Sequence, residues 1–169
     1  MKSLLKLLPV LVMVQFTTGS HAQNMADSLA IRNILIEETD SWNMGDAESY
    51  SRHFAEEGTF TNILGLFSKG HNGFLVRHEQ IFNGVFRGTE MRQDVVSIKF
   101  LRPDVAIVET LTWVKGFSED GPPEGTYLDD KGRLRTRLLQ VMVREGSDWK
   151  ISACHNVDIK PGVPAPEPF

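Results

Sequence analysis

Two neighbouring stretches decide the fold: Trp42-Asn43-Met44-Gly45-Asp46 and Phe54-Ala55-Glu56-Glu57-Gly58-Thr59-Phe60-Thr61-Asn62. They predict a helix that ends at Gly45, a second helix that Asp46 caps and Gly58 ends, and then a first strand. In that order, two helices can close over a curved sheet and leave a pocket between them. We expect any chemistry of this protein to lie in that pocket.

The rest of the chain predicts more helix first and strands afterwards. Asp27 or Ser28 can cap the first helix, which runs to about Asn43, and Asn72 can cap a third helix that runs to about Phe86. The predicted strands are 59–63, 92–101, 105–117, 134–144 and 149–159. Helices followed by a run of strands are typical of an α+β fold in which helices pack on one face of an antiparallel sheet.

The first residues resemble an export signal. Lys2 and Lys6 precede a largely apolar run over 7–16, which is too short to span a bilayer, and Ser20-His21-Ala22 offers a cleavage site. We therefore expect a signal peptide over 1–22 and a secreted or periplasmic protein without a membrane anchor. The domain itself covers 23–160. A Pro-rich tail, 161–169, is expected to be disordered or strapped along the surface.

Composition excludes several classes of function. The chain has 18 basic and 22 acidic residues without a basic cluster, so a nucleic-acid partner is not expected. No local metal, nucleotide or serine-hydrolase motif occurs, and we predict neither a cofactor nor a metal. Cys154 is the only cysteine; it lies in a strand pattern and is interpreted as a packing residue.

Several segments in order carry a resemblance to a known family. They are Trp42-Asn43-x-Gly45-Asp46, Phe54-Ala55-Glu56-Glu57-Gly58, Asn62-x-x-Gly65, Gly70, His78, Pro103-Asp104-Val105-Ala106 and Trp149-Lys150-Ile151-Ser152-Ala153-Cys154-His155-Asn156. Together they resemble the NTF2-like superfamily, in its SnoaL-like or DUF4440 (SgcJ/EcaC-type) branch. The resemblance implies a cystatin-like conical barrel, with three helices packed on a strongly bent antiparallel sheet, and usually a dimer. It does not imply one activity, because the family includes isomerases, cyclases, dehydratases and binding modules.

One position departs from the ketosteroid isomerases of that family. The segment that supplies their catalytic aspartate is similar to 55–65 here, and the aspartate falls on Asn62. An amide does not take up a proton at useful pH. The oxyanion-binding tyrosine of those enzymes falls near Glu38, so their mechanism is disfavoured for this chain.

Three residues are our candidates for acid–base chemistry. Glu38 lies on the apolar face of the first helix, where burial raises a carboxyl pKa, and His78 lies in the apolar stripe of the third helix. His155 follows Trp149 and Ile151 by strict alternation, which predicts that it faces the pocket near the end of the last strand. The competing interpretations are a glutamate held at the helix edge and histidines satisfied by structural hydrogen bonds.

Candidate substrate-binding residues follow from the same faces: Trp42, Phe54, Asn62, Phe82, Trp113 and Gln140. Trp113 is also consistent with a core residue. A two-residue Gly146-Ser147 turn places Gln140 in the pocket beside Ala153, whereas a three-residue turn places Arg137 there instead. We favour Gln140, because the other register buries two arginines.

The leading hypothesis is an exported small-molecule-binding protein, with proton-transfer chemistry of the isomerase, cyclase or dehydratase type on a small apolar ligand. The strand over 138–143 is apolar on both faces, so we also expect a homodimer through the outer face of the sheet. The alternative is a non-catalytic dimeric binding or association module. A cone filled by Trp42, Phe67, Phe82 and Trp113 would favour the alternative, and an open cavity with converging polar groups would favour the ligand.

Overall fold

The computed structural model describes residues 16–168, with side chains from Ala22 onwards. The predicted signal peptide lies mostly outside these residues, and 16–22 form the start of the first helix. The elements in chain order are α1 Phe16–Met44, α2 Ala47–Ser51, β1 Phe54–Thr61, β2 Phe67–Lys69, α3 His71–Asn83, β3 Glu90–Arg102, β4 Val105–Lys115, β5 Leu134–Glu145 and β6 Asp148–Asp158. Among the helices of residues 16–168, none combines the length and the apolar composition that spanning a bilayer requires.

The six strands form one mixed sheet in the order β2-β1-β6-β5-β4-β3. Every neighbouring pair is antiparallel except β1 and β6, which run parallel. The predicted α+β class is confirmed, and the prediction of a purely antiparallel sheet is wrong at this one pair. Register shifts interrupt β1–β6, β3–β4 and β5–β6, and such bulges bend a sheet.

The junction between α1 and α2 forms as its sequence predicts. Gly45 has a positive φ of 68°, which glycine adopts without steric cost. The amides of Gly45 and Asp46 donate to the carbonyls of Trp42 and Ser41, both at 2.9 Å, so the last carbonyls of α1 are satisfied. Asp46 then caps α2 by accepting from the Ser49 amide at 3.0 Å.

The end of α1 is also attached to the sheet. The Asn43 side chain accepts from the Met91 amide at 2.7 Å and donates to the Met91 carbonyl at 3.1 Å, so it pairs with the edge strand β3 as another strand would. The Trp42 indole donates to Thr89 Oγ1 at 3.1 Å. These contacts fix the side chains of α1 over the inner face of the sheet.

Three predicted helix boundaries are wrong. Asn72 does not cap α3, which begins at His71 after Gly70. Asp27 does not cap α1 but lies inside it, buried beside Trp149. The second helix ends at Ser51 rather than Gly58, because 54–61 pair with β2 and β6 as a strand. Gly58 is therefore a strand residue, and a Cβ there would lie 2.6 Å from Phe54 Cε1.

The tail is strapped along the surface as far as it is described. Arg133 donates to both Glu167 oxygens at 2.9 and 3.1 Å, and Lys131 Nζ donates to Oε2 at 3.0 Å. Lys131 and Arg133 lie at the end of the long polar loop that connects β4 to β5. Its Pro123 lines the cavity described next, which places the loop at the cavity wall.

Candidate functional site

A cavity of about 80 Å³ lies between the helices and the inner face of the sheet. Its volume is several times the roughly 10–15 Å³ that a single water needs. Most of its wall is apolar or aromatic, with contributions from Trp42, Phe60, Phe74 and Phe86. Six of the polar side chains that line it are Glu38, Asn62, His78, Gln93, Gln140 and Asn156.

Glu38 is the one carboxylate among the described residues that line the cavity, and it is only 2% exposed. Gln140 Nε2 donates to its two oxygens at 3.0 and 3.2 Å, and Gln93 Nε2 donates at 3.4 Å. Burial raises the pKa of Glu38 from 4.5 to about 7, although the two amide hydrogen bonds act to lower it. A carboxyl group with such a pKa can both accept and release a proton near neutral pH.

Gln93 and Gln140 each have a side-chain oxygen that accepts no hydrogen bond from the described residues. Their amide nitrogens are turned towards Glu38, so the Oε1 atoms of Gln93 and Gln140 are buried without a hydrogen-bond partner among the described residues. A buried unpaired acceptor destabilises the fold by about 1–3 kcal/mol. A ligand or water that donates a hydrogen bond would relieve this, so the polar end of the cavity is prepared for a donor group.

His78 lies on α3 and is also 2% exposed. Its Nδ1 is 2.8 Å from the Phe74 carbonyl, which can only accept, so Nδ1 carries the proton and Nε2 keeps its lone pair. Burial lowers the pKa of His78 from 6.5 to about 4, with a smaller contribution from the neighbouring charge of Arg77. The imidazole is therefore neutral at pH 7, and Nε2 has no protein partner within the described chain.

Tyr50 is a site residue that is not among the candidates predicted from the sequence. It lies on α2, lines the cavity, and packs its ring 4.6 Å from that of His78. Burial raises the pKa of its hydroxyl well above the usual value, and the carboxylate of Glu38 adds to this. The phenol is therefore neutral, and its hydroxyl makes no hydrogen bond to the described residues. The available signal was its position four residues after the cap at Asp46.

The prediction that His155 faces the cavity is wrong. β6 contains a bulge after Ile151. Ile151 pairs with Met142 of β5, and Ala153 pairs with Val141, which is the neighbour of Met142 in β5. Ser152 is thus an extra residue, and it reverses the alternation for the rest of the strand. His155 is exposed on the outer face, and Cys154 and Asn156 take the inner positions.

Gln140 lines the cavity as the two-residue turn predicts, and Glu145 does pair with Asp148 across Gly146-Ser147. The same bulge places Gln140 opposite Cys154 rather than Ala153. Arg137 lies on the outer face, where it forms an ion pair with Glu109 at 2.5 Å.

The predicted aromatic contacts divide into two groups. Trp42 lines the cavity. Phe54 stacks on Phe74 with ring centroids 3.9 Å apart, and Phe82 packs against Trp42, so both belong to the core rather than to the wall. Trp113 is buried on the outer side of the sheet, because its neighbours Thr112 and Val114 take the cavity side.

Asn62 lies in the cavity wall, and the oxygen of its side-chain amide is used in structural hydrogen bonds. Its Oδ1 accepts from the amides of Leu64 and Leu66, both at 2.9 Å, which holds the loop before β2. Only its Nδ2 remains as a donor for a ligand. Phe67, a predicted filler of the cone, is 65% exposed and lies outside the cavity wall.

The site offers little to a metal. Cys154 lines the cavity, but burial raises the pKa of its thiol well above the usual value, so it is neither a thiolate ligand nor a ready nucleophile. Within residues 16–168, no group of three His, Cys, Asp or Glu side chains is placed to hold an ion.

In amino-acid sequence, the chain matches no family model and no curated protein. Solved structures do match it. A domain of unknown function with a cystatin-like fold from Nostoc punctiforme superposes with a TM-score of 0.67 at 22% identity, over 81% of this chain and 80% of that one.

Two further similar structures have names that suggest an activity. A putative scytalone dehydratase from Novosphingobium aromaticivorans has a TM-score of 0.69 at 17% identity, over 83% of this chain and 89% of that one. A ketosteroid isomerase-like protein from Erwinia carotovora atroseptica has a TM-score of 0.60 at 14% identity, over 79% and 96% of the two chains. At these identities the likeness establishes the fold and not the activity. The chain therefore has the cystatin-like fold of the NTF2-like proteins.

Proposed function

We propose that the cavity binds a small, largely aromatic or apolar molecule and that Glu38 transfers a proton to or from it. The observation that carries this proposal is the buried carboxyl group of Glu38 in the cavity wall, which among the described residues has two glutamine amides and no cation beside it. Burial raises its pKa to about 7. A general acid–base is most effective when its pKa lies near the working pH. The names of the dehydratase and isomerase-like structures are consistent with chemistry of this type.

The other polar groups have complementary roles in this proposal. Tyr50 offers a neutral O–H, which suits an oxygen of the substrate that gains negative charge. His78 offers a lone pair on Nε2, which suits a substrate hydroxyl. Because His78 stays neutral at pH 7, Glu38 rather than His78 is the group whose protonation changes in the working range.

Exchange at an acidic carbon tests the proposal without knowledge of the natural substrate. 1-Indanone is a small aromatic ketone with C–H bonds next to its carbonyl, and NMR follows their replacement by deuterium in D₂O. We expect wild-type protein to accelerate this exchange and Glu38→Gln to reduce the acceleration by about 100-fold or more, while binding persists. Glu79→Gln is the matched control, because Glu79 is an exposed glutamate of α3 outside the cavity wall.

The same experiment separates the two candidate functions. Binding of the ketone with exchange at the uncatalysed rate would reject the catalytic role and favour a non-catalytic binding module. No binding at all would reject the small-molecule site. Equal exchange by wild type and Glu38→Gln would reject Glu38 as the proton carrier.

We also propose that the protein is exported and that two copies associate through the outer face of the sheet. Lys2, Lys6 and the apolar run behind them support export. Leu139 and Val157, 41% and 61% exposed, support association, because they leave apolar surface on the outer face of the sheet. The amino terminus of exported protein, determined by mass spectrometry, tests the first proposal, and light scattering tests the second.

A further inference from the structure

We infer that the ligand carries a single negatively charged group, of the carboxylate type, which the Arg77 guanidinium binds at the wall of the cavity. The inference rests on the proposed small-molecule site and adds the chemical class of its ligand. Arg77 lies on α3 directly before His78, and it is the one lysine or arginine among the described residues that line the cavity.

Among the described residues, no carboxylate compensates the charge of Arg77. Its one hydrogen bond runs from Nη1 to Gln80 Oε1 at 3.3 Å, which is a neutral partner. No carboxylate lies within ion-pair distance of it in the described part of the chain, where most other arginines have one. Its Nε is buried and has no hydrogen-bond partner among the described atoms.

A planar anion would supply both the negative charge and the hydrogen-bond acceptor that the Arg77 guanidinium does not have among the described residues. A guanidinium presents parallel N–H groups that match the two oxygens of a carboxylate, and hydrogen bonds between charged partners are about twice as strong as neutral ones. Much of the cavity wall is apolar and aromatic, and an ion pair beside such a wall is stronger than one in bulk water because the local dielectric constant is lower. An arginine with a bare Nε in an apolar wall is therefore suited to an anion.

Glu38 determines which end of the ligand is charged. No other carboxylate is found in the wall within the described part of the chain, and Glu38 lies on α1, on a different element from Arg77. An anion beside Glu38 would be repelled, so the charged end belongs at α3 and an uncharged, hydrogen-bonding end belongs at Glu38 and Gln140. The cavity thus selects a small aromatic acid with a neutral polar group at its far end.

Binding of the anion also affects His78. The charge of Arg77 contributes to the lowered pKa of this histidine. An anion on Arg77 cancels that contribution, so the bound ligand makes Nε2 of His78 a better acceptor. Charge recognition and acid–base chemistry are in this way coupled through two adjacent residues of α3.

A matched pair of ligands tests the inference. Cinnamate and cinnamyl alcohol share an aromatic body and differ in charge, and isothermal titration calorimetry at pH 8 and low salt measures both. We expect wild type to bind cinnamate about tenfold more tightly than the alcohol, and added salt to weaken only the cinnamate complex. Arg77→Gln should abolish the preference without weakening the alcohol complex, and Arg77→Lys should retain part of it.

Arg87→Gln is the control, because Arg87 is an exposed arginine just after α3 and lies outside the cavity wall. It removes the same charge and should leave both affinities unchanged. Equal affinities of wild type for the two ligands, or a preference that survives in Arg77→Gln, would overturn the inference and leave the small-molecule site intact. A loss of preference in Arg87→Gln would also overturn it, because net charge alone would then explain the effect. Failure of wild type to bind either ligand would overturn both proposals.

Discussion

Replacement of Glu38 by glutamine should change how the stability of the protein depends on pH. Glu38 has a pKa of about 7 in the folded chain against an ordinary value of 4.5, so between these values the folded protein holds a proton that the unfolded chain has released. Its contribution to stability is then fully present below pH 4.5 and is lost as the pH rises through 7. Each pH unit is worth about 1.4 kcal/mol, so the loss amounts to about 3 kcal/mol.

His78 has the opposite effect over nearly the same range. Its pKa falls from 6.5 in the unfolded chain to about 4 in the folded one, so its contribution is fully present above pH 6.5 and is lost as the pH falls through 4. The magnitude is again about 3 kcal/mol. Between pH 4.5 and 6.5 the two contributions nearly cancel in the wild type, and each becomes visible when the other residue is replaced.

Urea unfolding followed by tryptophan fluorescence at pH values from 4 to 8.5 measures these terms. The unfolding free energy of the wild type minus that of Glu38→Gln should fall by about 3 kcal/mol between pH 4.5 and 8, because all other titrating groups are shared and drop out of the difference. The same difference for His78→Gln should rise by about 3 kcal/mol between pH 4 and 6.5. For Glu79→Gln, on the exposed side of α3, we expect no such trend.

A constant difference between wild type and Glu38→Gln across this range would refute the reasoning. It would mean that Glu38 titrates alike in the folded and unfolded chains. Neither the burial of its carboxyl group nor its suitability as an acid–base at neutral pH would then stand, whatever the exchange experiment showed.

Three further changes test the fold around the site. Gly58→Ala places a Cβ 2.6 Å from Phe54 Cε1 and 3.0 Å from the Ile151 carbonyl. It should therefore lower the unfolding free energy by about 1–3 kcal/mol in urea titrations, and an unchanged value would contradict the packing of β1. Asn43→Ala removes both hydrogen bonds to the Met91 backbone and should lower the unfolding free energy by about 1–3 kcal/mol. Amide hydrogen exchange at Met91 should accelerate, and retained protection there would show that α1 does not hold the edge strand. Leu139→Glu puts a charge on the outer face and should convert a dimer into a monomer in light scattering, and a dimer that persists would place the interface elsewhere.

The part of the site that rests on helical periodicity is predictable from sequence. Glu38 and His78 lie on apolar faces of their helices, and an apolar face turns towards the sheet whatever the details of the sheet are. Gln140 follows from the length of one hairpin turn, which is also a local property. These three residues meet at one cavity although they are far apart in the chain.

The segment around Phe54 shows why the strand was missed there. Ala55, Glu56 and Glu57 favour a helix when considered alone. The strand is held on both sides of these residues instead: Phe54 pairs with Ile151, and Thr59 to Thr61 pair with Ala153 to His155, which lie about 100 residues away in sequence. Such long-range pairing overrides the local helix propensity of these three residues and cannot be read from them alone.

His155 was misplaced because alternation along a strand holds only while the register is unbroken. A single extra residue, Ser152, turns every later side chain of β6 to the other face. The bulge depends on how β6 fits both β5 and the parallel strand β1, and neither partner is adjacent to Ser152 in sequence. Deletion of Ser152 is therefore the direct test of its role: Ala153 would follow Ile151 directly, so the bulge should disappear while Cys154 stays on the cavity side and His155 on the outer face. Line broadening of the His155 ring signals by a soluble paramagnetic agent should then match the wild type, and a loss of that broadening would mean that Ser152 is not the extra residue.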